Sequence, residues 1–363
     1  MTESTPTNGD APRIFSGLWD APATIEINHF KFKSLSNFSF NTAVGCGHGC
    51  RFCYVPDTST KKLTPQLAAL GVSDPDAQWG RYVFPRRWDE KKFLASLRRA
   101  ESIPAAELAP DGHRAIMFCT TTDPYQFILN PDAGIRRELN ETHRHLVRRA
   151  LELIRDESTL NVRILTRSPL AREDFELMAS LEHRLLFGMS LPTLNDRLAR
   201  IYEPHAPAPS KRLETLRAAK VAGLHVYVAV APTYPECDAA DLHATLEAVA
   251  GLDPVTVFHE PINIRAENVE RIRVHAESIG QTVNTAVFAT PDSWRTYAVG
   301  QLQMVERIAG EVGLADRLHL WPDASLKTNT ALFTYNNPLE MHRWIRRWHE
   351  RVSEWPKATV ASA

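Results

Sequence analysis

Three cysteines stand close together in the run Gly45-Cys46-Gly47-His48-Gly49-Cys50-Arg51-Phe52-Cys53-Tyr54, a C-x3-C-x2-C spacing threaded by three glycines. Thiolates are soft ligands, suited to iron–sulfur clusters and to zinc. Glycines let a backbone wrap closely around a bulky group, in conformations other residues avoid. A structural zinc normally takes four protein ligands, often as two C-x2-C-like pairs. Here there is one pair, and His48 between the cysteines is awkwardly placed as a fourth. Inert thiols are a third reading, and clustering in a Gly-rich loop weighs against it. The donor set points first to an iron–sulfur cluster held by three cysteines with one iron left open, and zinc stays behind it as the alternative.

The elements around the loop set where such chemistry would sit. Strand candidates are Phe40–Val44, Ala115–Cys119, Val162–Thr166, Leu185–Ser190, Val226–Ala231 and Val255–Glu260, most of them near-continuous apolar runs of the kind buried on both faces of a parallel sheet. Amphipathic stretches alternate with them at 90–101, 135–156, 171–182, 209–222, 239–250 and 266–279. Strand-then-helix alternation of this kind predicts an α/β fold, a (βα)-type barrel or a doubly wound sheet. The cysteine loop follows the first strand, at the strand end where barrel active sites form. Residues 1–20 read as a flexible leader, 21–285 as the barrel with its loop at 45–54, and 286–363 as a mostly helical C-terminal extension that caps or closes it. Within that extension, helical patterns at 292–313 and 337–353 flank a short run, Arg317–Trp321. Segment 56–88 is long, Pro-containing and weakly patterned, and reads as an excursion over the mouth of the site.

Composition narrows the class. The chain has 363 residues, 42 basic against 43 acidic, a net charge of −1, 44% hydrophobic and 23% charged residues. Those are globular values, and disordered, collagen-like and coiled-coil classes drop out. No run approaches the roughly eighteen apolar residues of a membrane helix. The first residues lack the basic and apolar regions of a signal peptide, so the expected location is the cytoplasm. Five cysteines, three of them within eight residues, do not form a disulfide framework. Near-neutral charge leaves no global nucleic-acid footprint.

With Phe52 as the aromatic, the C-x3-C-x-aromatic-C loop resembles the signature of the radical S-adenosylmethionine (SAM) superfamily. The resemblance implies a partial (βα)6 barrel, a [4Fe–4S] cluster on Cys46, Cys50 and Cys53, and SAM on the fourth iron. It also implies reductive cleavage of SAM to a 5′-deoxyadenosyl radical that abstracts a substrate hydrogen, with an electron supplied by a donor such as flavodoxin or ferredoxin. Further segments resemble the spore photoproduct lyase-like (DNA repair photolyase-like) subgroup. These are Asn41–Cys46 with His48-Gly49-Cys50, Thr120–Gln126, Leu165–Ser168, Ser190 with Arg197, Glu203-Pro204 and Arg212-Leu213, Val230-Ala231-Pro232, and Glu260–Asn263. The resemblance covers about residues 38–275.

Thr120, Thr122, Asp123, Thr166, Ser168, Ser190 and Asn263 fall at predicted strand ends, where hydroxyls and a carboxylate suit the ribose, amino or carboxylate groups of SAM, or a substrate. Each alone is equally a helix cap or turn residue. In spore photoproduct lyase a cysteine beside the second-strand segment returns a hydrogen atom to the product. Cys119 is the matching candidate, offset by one residue, and its other reading is a small buried hydrophobe. The runs Arg81–Trp88 and His342–His349 mix guanidinium groups with rings, as nucleic-acid sites do, but inward rings with solvated arginines are the favoured account of both. The expected activity is thus a lyase-like radical SAM enzyme with a DNA or nucleotide substrate and no membrane partner. The rivals are a radical SAM enzyme modifying a small molecule or peptide, and a non-catalytic zinc- or nucleic-acid-binding protein.

Overall fold

The computed structural model of the chain describes residues 13–28, 35–328, 331 and 335–358. In chain order the strands are β1 (Phe15–Ser16), β2 (Trp19–Pro22), β3 (Ile25–Ile27), β4 (Phe38–Phe40), β5 (Ala43–Gly45) and β6 (Tyr82–Arg87). They continue with β7 (Ala115–Phe118), β8 (Asn161–Thr166), β9 (Leu185–Ser190), β10 (His225–Thr233), β11 (Thr256–Pro261) and β12 (Leu318–Leu320). The helices that place the site are α1 (Thr64–Ala69), α2 (Glu90–Glu101), α3 (Ala133–Glu157), α4 (Phe175–Ala179), α5 (Asp196–Tyr202), α6 (Pro209–Val221), α7 (Ala239–Ala250), α8 (Asn268–Ser278) and α9 (Pro291–Glu311).

The main sheet runs in the order β12-β11-β10-β9-β8-β7-β4-β3, with only β3 antiparallel to its neighbour. Side chains along β7 and β9 are buried throughout, as expected for strands covered on both faces. The helices between them are cut by side-chain caps: Asp89 accepts from Lys92 N, Asp132 from Ile135 N, and Asp238 from Ala240 and Asp241 N. The result is the expected α/β partial barrel, a parallel sheet curving around an interior of Leu186, Tyr227, Phe258 and Trp321.

Five local departures matter. The expected strand Phe40–Val44 is two strands. At Asn41-Thr42 the chain leaves the main sheet, because Asn41 bonds across to Thr120 and Thr121 and Thr42 turns inward to Cys119 and His143. β5 then pairs antiparallel with β6 in a small second sheet, where β1 and β2 flank β6 in parallel. Of the expected leader, residues 1–12 lie outside the described residues, whereas Phe15 and Trp19 anchor this small sheet with Trp79, Tyr82 and Phe84. Segment 56–88 therefore supplies a strand and a second hydrophobic core against the cysteine loop, with Cys46 and Cys53 packed onto it. The expected helix 171–182 breaks into a 3-10 turn, Pro169–Asp174, and α4, because Asp174 is drawn inward to Tyr125 Oη and Arg148. Finally, the C-terminal region adds β12 to the main sheet, pairing Val257 with Leu318 and His259 with Leu320. Its Trp355 lies 5.0 Å over the buried Arg163 guanidinium and donates to His183 O at 3.0 Å. That indole covers the interior at the N-terminal ends of the strands.

Candidate cluster and cofactor site

The cysteine loop leaves β5 and is held from three directions. From the β7 end, Thr122 Oγ1 donates to Gly45 O at 2.5 Å and Gly47 N donates to Gln126 Oε1 at 2.7 Å. From α5, Tyr202 O accepts from Arg51 N at 2.8 Å. From α8, Asn268 Nδ2 donates to Phe52 O at 3.2 Å, and Arg271 donates through Nε to Arg51 O at 3.1 Å and through Nη2 to Cys53 O at 2.6 Å. Arg271 is itself ion-paired with Asp76. Asn268 and Arg271 carry no motif that marks them. The sequence reads 266–279 only as an amphipathic helix, and the sole signal was two polar residues spaced i, i+3 on what becomes its buried face. At the loop's outer edge Gly49 meets Gly80 backbone to backbone: a Cβ on Gly80 would stand 2.6 Å from Gly49 Cα, and both glycines hold positive φ.

All five cysteines are free thiols; Cys50 is buried and Cys46 and Cys53 half-buried. Burial pushes the Cys46 and Cys53 thiols up and raises Cys50 to about 12, against the pull of Arg167 on Cys50. Such thiols give up their protons to a bound cation and to little else, since metal ligation requires the thiolate. Among the described residues no three His, Cys, Asp or Glu side chains converge as the ligands of a single metal ion do. A four-iron cluster binds each thiolate at a separate iron and does not ask for that convergence, whereas zinc does. Three thiols carried on one glycine-rich loop are a donor set that suits a cluster bound through three separate cysteines.

Asp123 is the node beneath the loop. Its Oδ1 accepts from Thr166 Oγ1 at 2.7 Å and from Tyr125 N at 2.8 Å, and its Oδ2 from Arg167 N at 2.9 Å. His48, between the cysteines, brings Nε2 to 3.1 Å of Oδ2, an ion-pair contact rather than an aligned hydrogen bond. Burial works against the Asp123 charge, but His48, Thr166 and the Arg167 amide hold its carboxyl down at about 2. Beside it, Arg167 Nε donates to Glu203 Oε1 at 2.7 Å, and Arg212 ion-pairs with the other carboxylate oxygen. Glu203 and Arg212 are fully enclosed, and the two cations outweigh the burial that opposes the Glu203 charge. The Arg167 guanidinium lies 5.7 Å from the Phe52 ring centroid and next to Cys50.

The other candidates fall around this node, and several of their polar atoms are engaged within the chain. Thr166 Oγ1 also accepts from Ser168 N, while Ser168 Oγ caps the following turn at Leu170 N. Ser190 Oγ donates to Ala231 O at 2.8 Å, and its carbonyl accepts from Arg212 Nη1 at 3.1 Å. Thr122 Oγ1 accepts from Gln126 Nε2 at 2.6 Å. Thr120 Oγ1 accepts from Asn41 Nδ2 at 3.2 Å, and its carbonyl accepts from Tyr54 Oη at 2.8 Å. Asn263 is half-buried, with Nδ2 3.5 Å from Glu260 Oε2 and its carbonyl bonded to Asn268. Cys119 closes β7 with φ +68°, a left-handed conformation few non-glycine residues take. Its sulfur lies 3.2 Å from Thr42 Oγ1, which lies 2.8 Å from His143 Nε2. Burial raises the Cys119 thiol to about 12 and lowers His143 to about 4. Cys237 is fully buried and packs in the main core.

In the two basic and aromatic runs the rings are buried or half-buried, whereas most of the arginines are exposed. Tyr82 and Phe84 belong to the core of the small sheet. In the last helix, Pro338–Glu350, Ile345 and Trp348 are buried, Trp344 Nε1 donates to Glu306 at 2.6 Å, and Arg346 pairs with Glu350. No helix among the described residues is long and apolar enough to cross a membrane.

Comparison with known proteins agrees with this geometry. Over 247 residues, 66% of this chain and 72% of the relative, the sequence is 32% identical to uncharacterised protein ORF301 of Acidianus two-tailed virus. It is 27% identical to uncharacterised protein Rv2578c of Mycobacterium tuberculosis over 61% of this chain, and spans 58% of that relative's length. Among solved structures, spore photoproduct lyase complexed with dinucleoside spore photoproduct superposes with a TM-score of 0.54 at 14% identity, covering 82% of this chain and 80% of its own. A variant of the same lyase superposes at 0.55. That likeness is one of fold. The family model described as the radical SAM superfamily matches residues 40–249, more than half of the chain and the whole span from the end of β4 through the cysteine loop to α7. A three-thiol loop on a partial barrel, matched over that span, makes this chain a member of the radical SAM superfamily.

Proposed function

We propose that the protein is a radical SAM enzyme that holds a [4Fe–4S] cluster on Cys46, Cys50 and Cys53 and acts on a substrate hydrogen. The observation that carries the reading is the clamped three-thiol loop at the strand ends. When bound, the cluster and SAM supply reductive cleavage of the sulfonium and a 5′-deoxyadenosyl radical. The chain's own residues bind, orient and exclude water. Thr122, Gln126, Asn268 and Arg271 hold the loop in one shape. Arg167, steadied by Glu203 and facing the loop, offers a guanidinium suited to the SAM carboxylate. Cys119 enters as a hydrogen-atom donor, because burial keeps its S–H bond intact and Thr42 orients it.

For the substrate we propose a lesion in DNA, on the strength of a fold shared across 82% of the chain with a lyase solved with a dinucleoside photoproduct. Fold likeness alone does not carry substrate. The inward rings of β6 and the last helix favour the second reading, a small molecule or peptide, because they remove two candidate stacking platforms.

The test is anaerobic reconstitution with iron and sulfide, then reductant and SAM, with 5′-deoxyadenosine as the readout. Wild type should form it, and Cys46→Ala, Cys50→Ala and Cys53→Ala should bind no cluster. Zinc without labile sulfide would overturn the reading. Repair of an oligonucleotide carrying the thymine photoproduct separates the lesion substrate from the biosynthetic one.

A further inference from the structure

We propose that the outer face of the cysteine loop, around Gly49, Gly80, Arg51, Arg81 and His205, is the docking surface for a small acidic one-electron carrier protein. The inference rests on the cluster reading above and adds where its electron enters.

Two observations lead here. The first is the thinness of the wall. Gly49 adjoins Cys50, and its backbone meets that of Gly80 with no side chain between them. A Cβ on Gly49 would stand 3.0 Å from Gly80 Cα and 3.1 Å from the exposed His205 ring. Any side chain at either glycine would push the outer layer away from Cys50. Electron transfer weakens steeply with distance, and here the half-buried Gly80 meets the residue next to Cys50 backbone to backbone.

The second is charge. The Arg51 side chain runs along this wall, with Nη1 3.4 Å from Trp79 O and Nε buried without a hydrogen-bond partner. His205 is lowered by burial and then by Arg51, His275 and Arg81, so these groups crowd one another. Arg271 is neutralised by Asp76. Arg51, Arg81, His205 and His275 have no ion pair with a carboxylate among the described residues. Burial shifts both imidazoles down, and the guanidinium groups of Arg51 and Arg81 are the permanent cations of this face. An unpaired positive face steers an acidic partner and sets its orientation. Nucleic acid is the other polyanion, but the large rings beside this face, Trp79 and Tyr82, are buried and form no stacking platform for successive bases. In the proposed step one electron leaves the reduced carrier and enters the cluster, with no covalent bond formed or broken between the proteins.

The experiment uses reconstituted holoprotein mixed anaerobically with flavodoxin hydroquinone, following the bleaching of cluster absorbance. The second-order rate should fall about tenfold between low salt and about 0.5 M salt. At low salt Arg81→Glu/His205→Glu should lose about tenfold in rate, and Arg81→Lys should stay close to wild type. Formation of 5′-deoxyadenosine driven by dithionite, which needs no docking, should be unchanged in both. A wild-type rate with flavodoxin in the charge-reversed variant would overturn the proposal. So would an equal loss with dithionite, which would make the face a support of the loop. Weakened duplex DNA binding with flavodoxin reduction intact would also overturn it and give the face to nucleic acid. Wild-type protein that assembles no cluster would instead remove the functional reading on which the docking rests.

Discussion

Arg271, in the first turn of α8, donates from Nη2 to the carbonyl of Cys53 at 2.6 Å, across 218 positions of sequence. The same guanidinium reaches Arg51 O, so one side chain holds the backbone from the residue after Cys50 to Cys53. Replacing it with alanine removes two charge-assisted bonds to buried carbonyls and leaves Asp76 without its cation. Arg271→Ala should cost about 3 kcal/mol. The check is the urea midpoint together with iron and sulfide content after reconstitution. Arg271→Lys should retain part of both, since an ammonium supplies charge without the fork. Unchanged cluster loading in the alanine variant would show that the clamp is dispensable.

Stability should fall on mild acidification. His143, buried against Thr42, is held at about 4, and so is His113, lowered by burial and by Arg163. In the unfolded chain both protonate near 6.5. Between about pH 6.5 and pH 4 the unfolded state therefore binds more protons than the folded one, and stability declines as pH falls. His143→Gln keeps a hydrogen-bonding side chain without the titration. It should remove the His143 share of the slope, about 3 kcal/mol across the window. Denaturant unfolding at stepped pH reads this directly. An unchanged slope would mean that His143 is not buried as described.

Glu203→Gln should be among the most damaging single changes. Arg167 and Arg212 both spend their charge on that carboxylate, and Arg212 is fully enclosed. Removing the negative charge strands two cations in the interior, at about 3–5 kcal/mol. Thermal unfolding of the apoprotein measures it free of the cluster. A loss under about 1 kcal/mol would show that water reaches the pair.

Cys119→Ala should leave 5′-deoxyadenosine formation intact and change how the substrate radical ends. Thr42→Val should move the product ratio in the same direction and by less, because the thiol stays but loses its partner at 3.2 Å. Product analysis by mass spectrometry decides. Identical products from all three proteins would make Cys119 a packing residue.

What the sequence determined alone is what local pattern encodes. The C-x3-C-x2-C spacing places three thiols in one short loop whatever surrounds it. The apolar run at 185–190 and the amphipathic stretch at 239–250 become β9 and α7 with matching ends, because strand burial, a capping Asp238 and helical periodicity are all readable within a few residues. The tertiary structure decided everything that depends on partners far along the chain. Phe40–Val44 looks like one strand, yet divides because Asn41 and Thr42 find partners near 120 and 143. The rings of Tyr82 and Trp348 are compatible with stacking on a ligand until their neighbours turn them inward. Asp123 looks like a free carboxylate until His48, Thr166 and the Arg167 amide engage it. Asn268 and Arg271 are two polar residues on an ordinary helix until that helix packs beside Cys53. Their role is a matter of distance in space, and no periodicity in sequence carries that information.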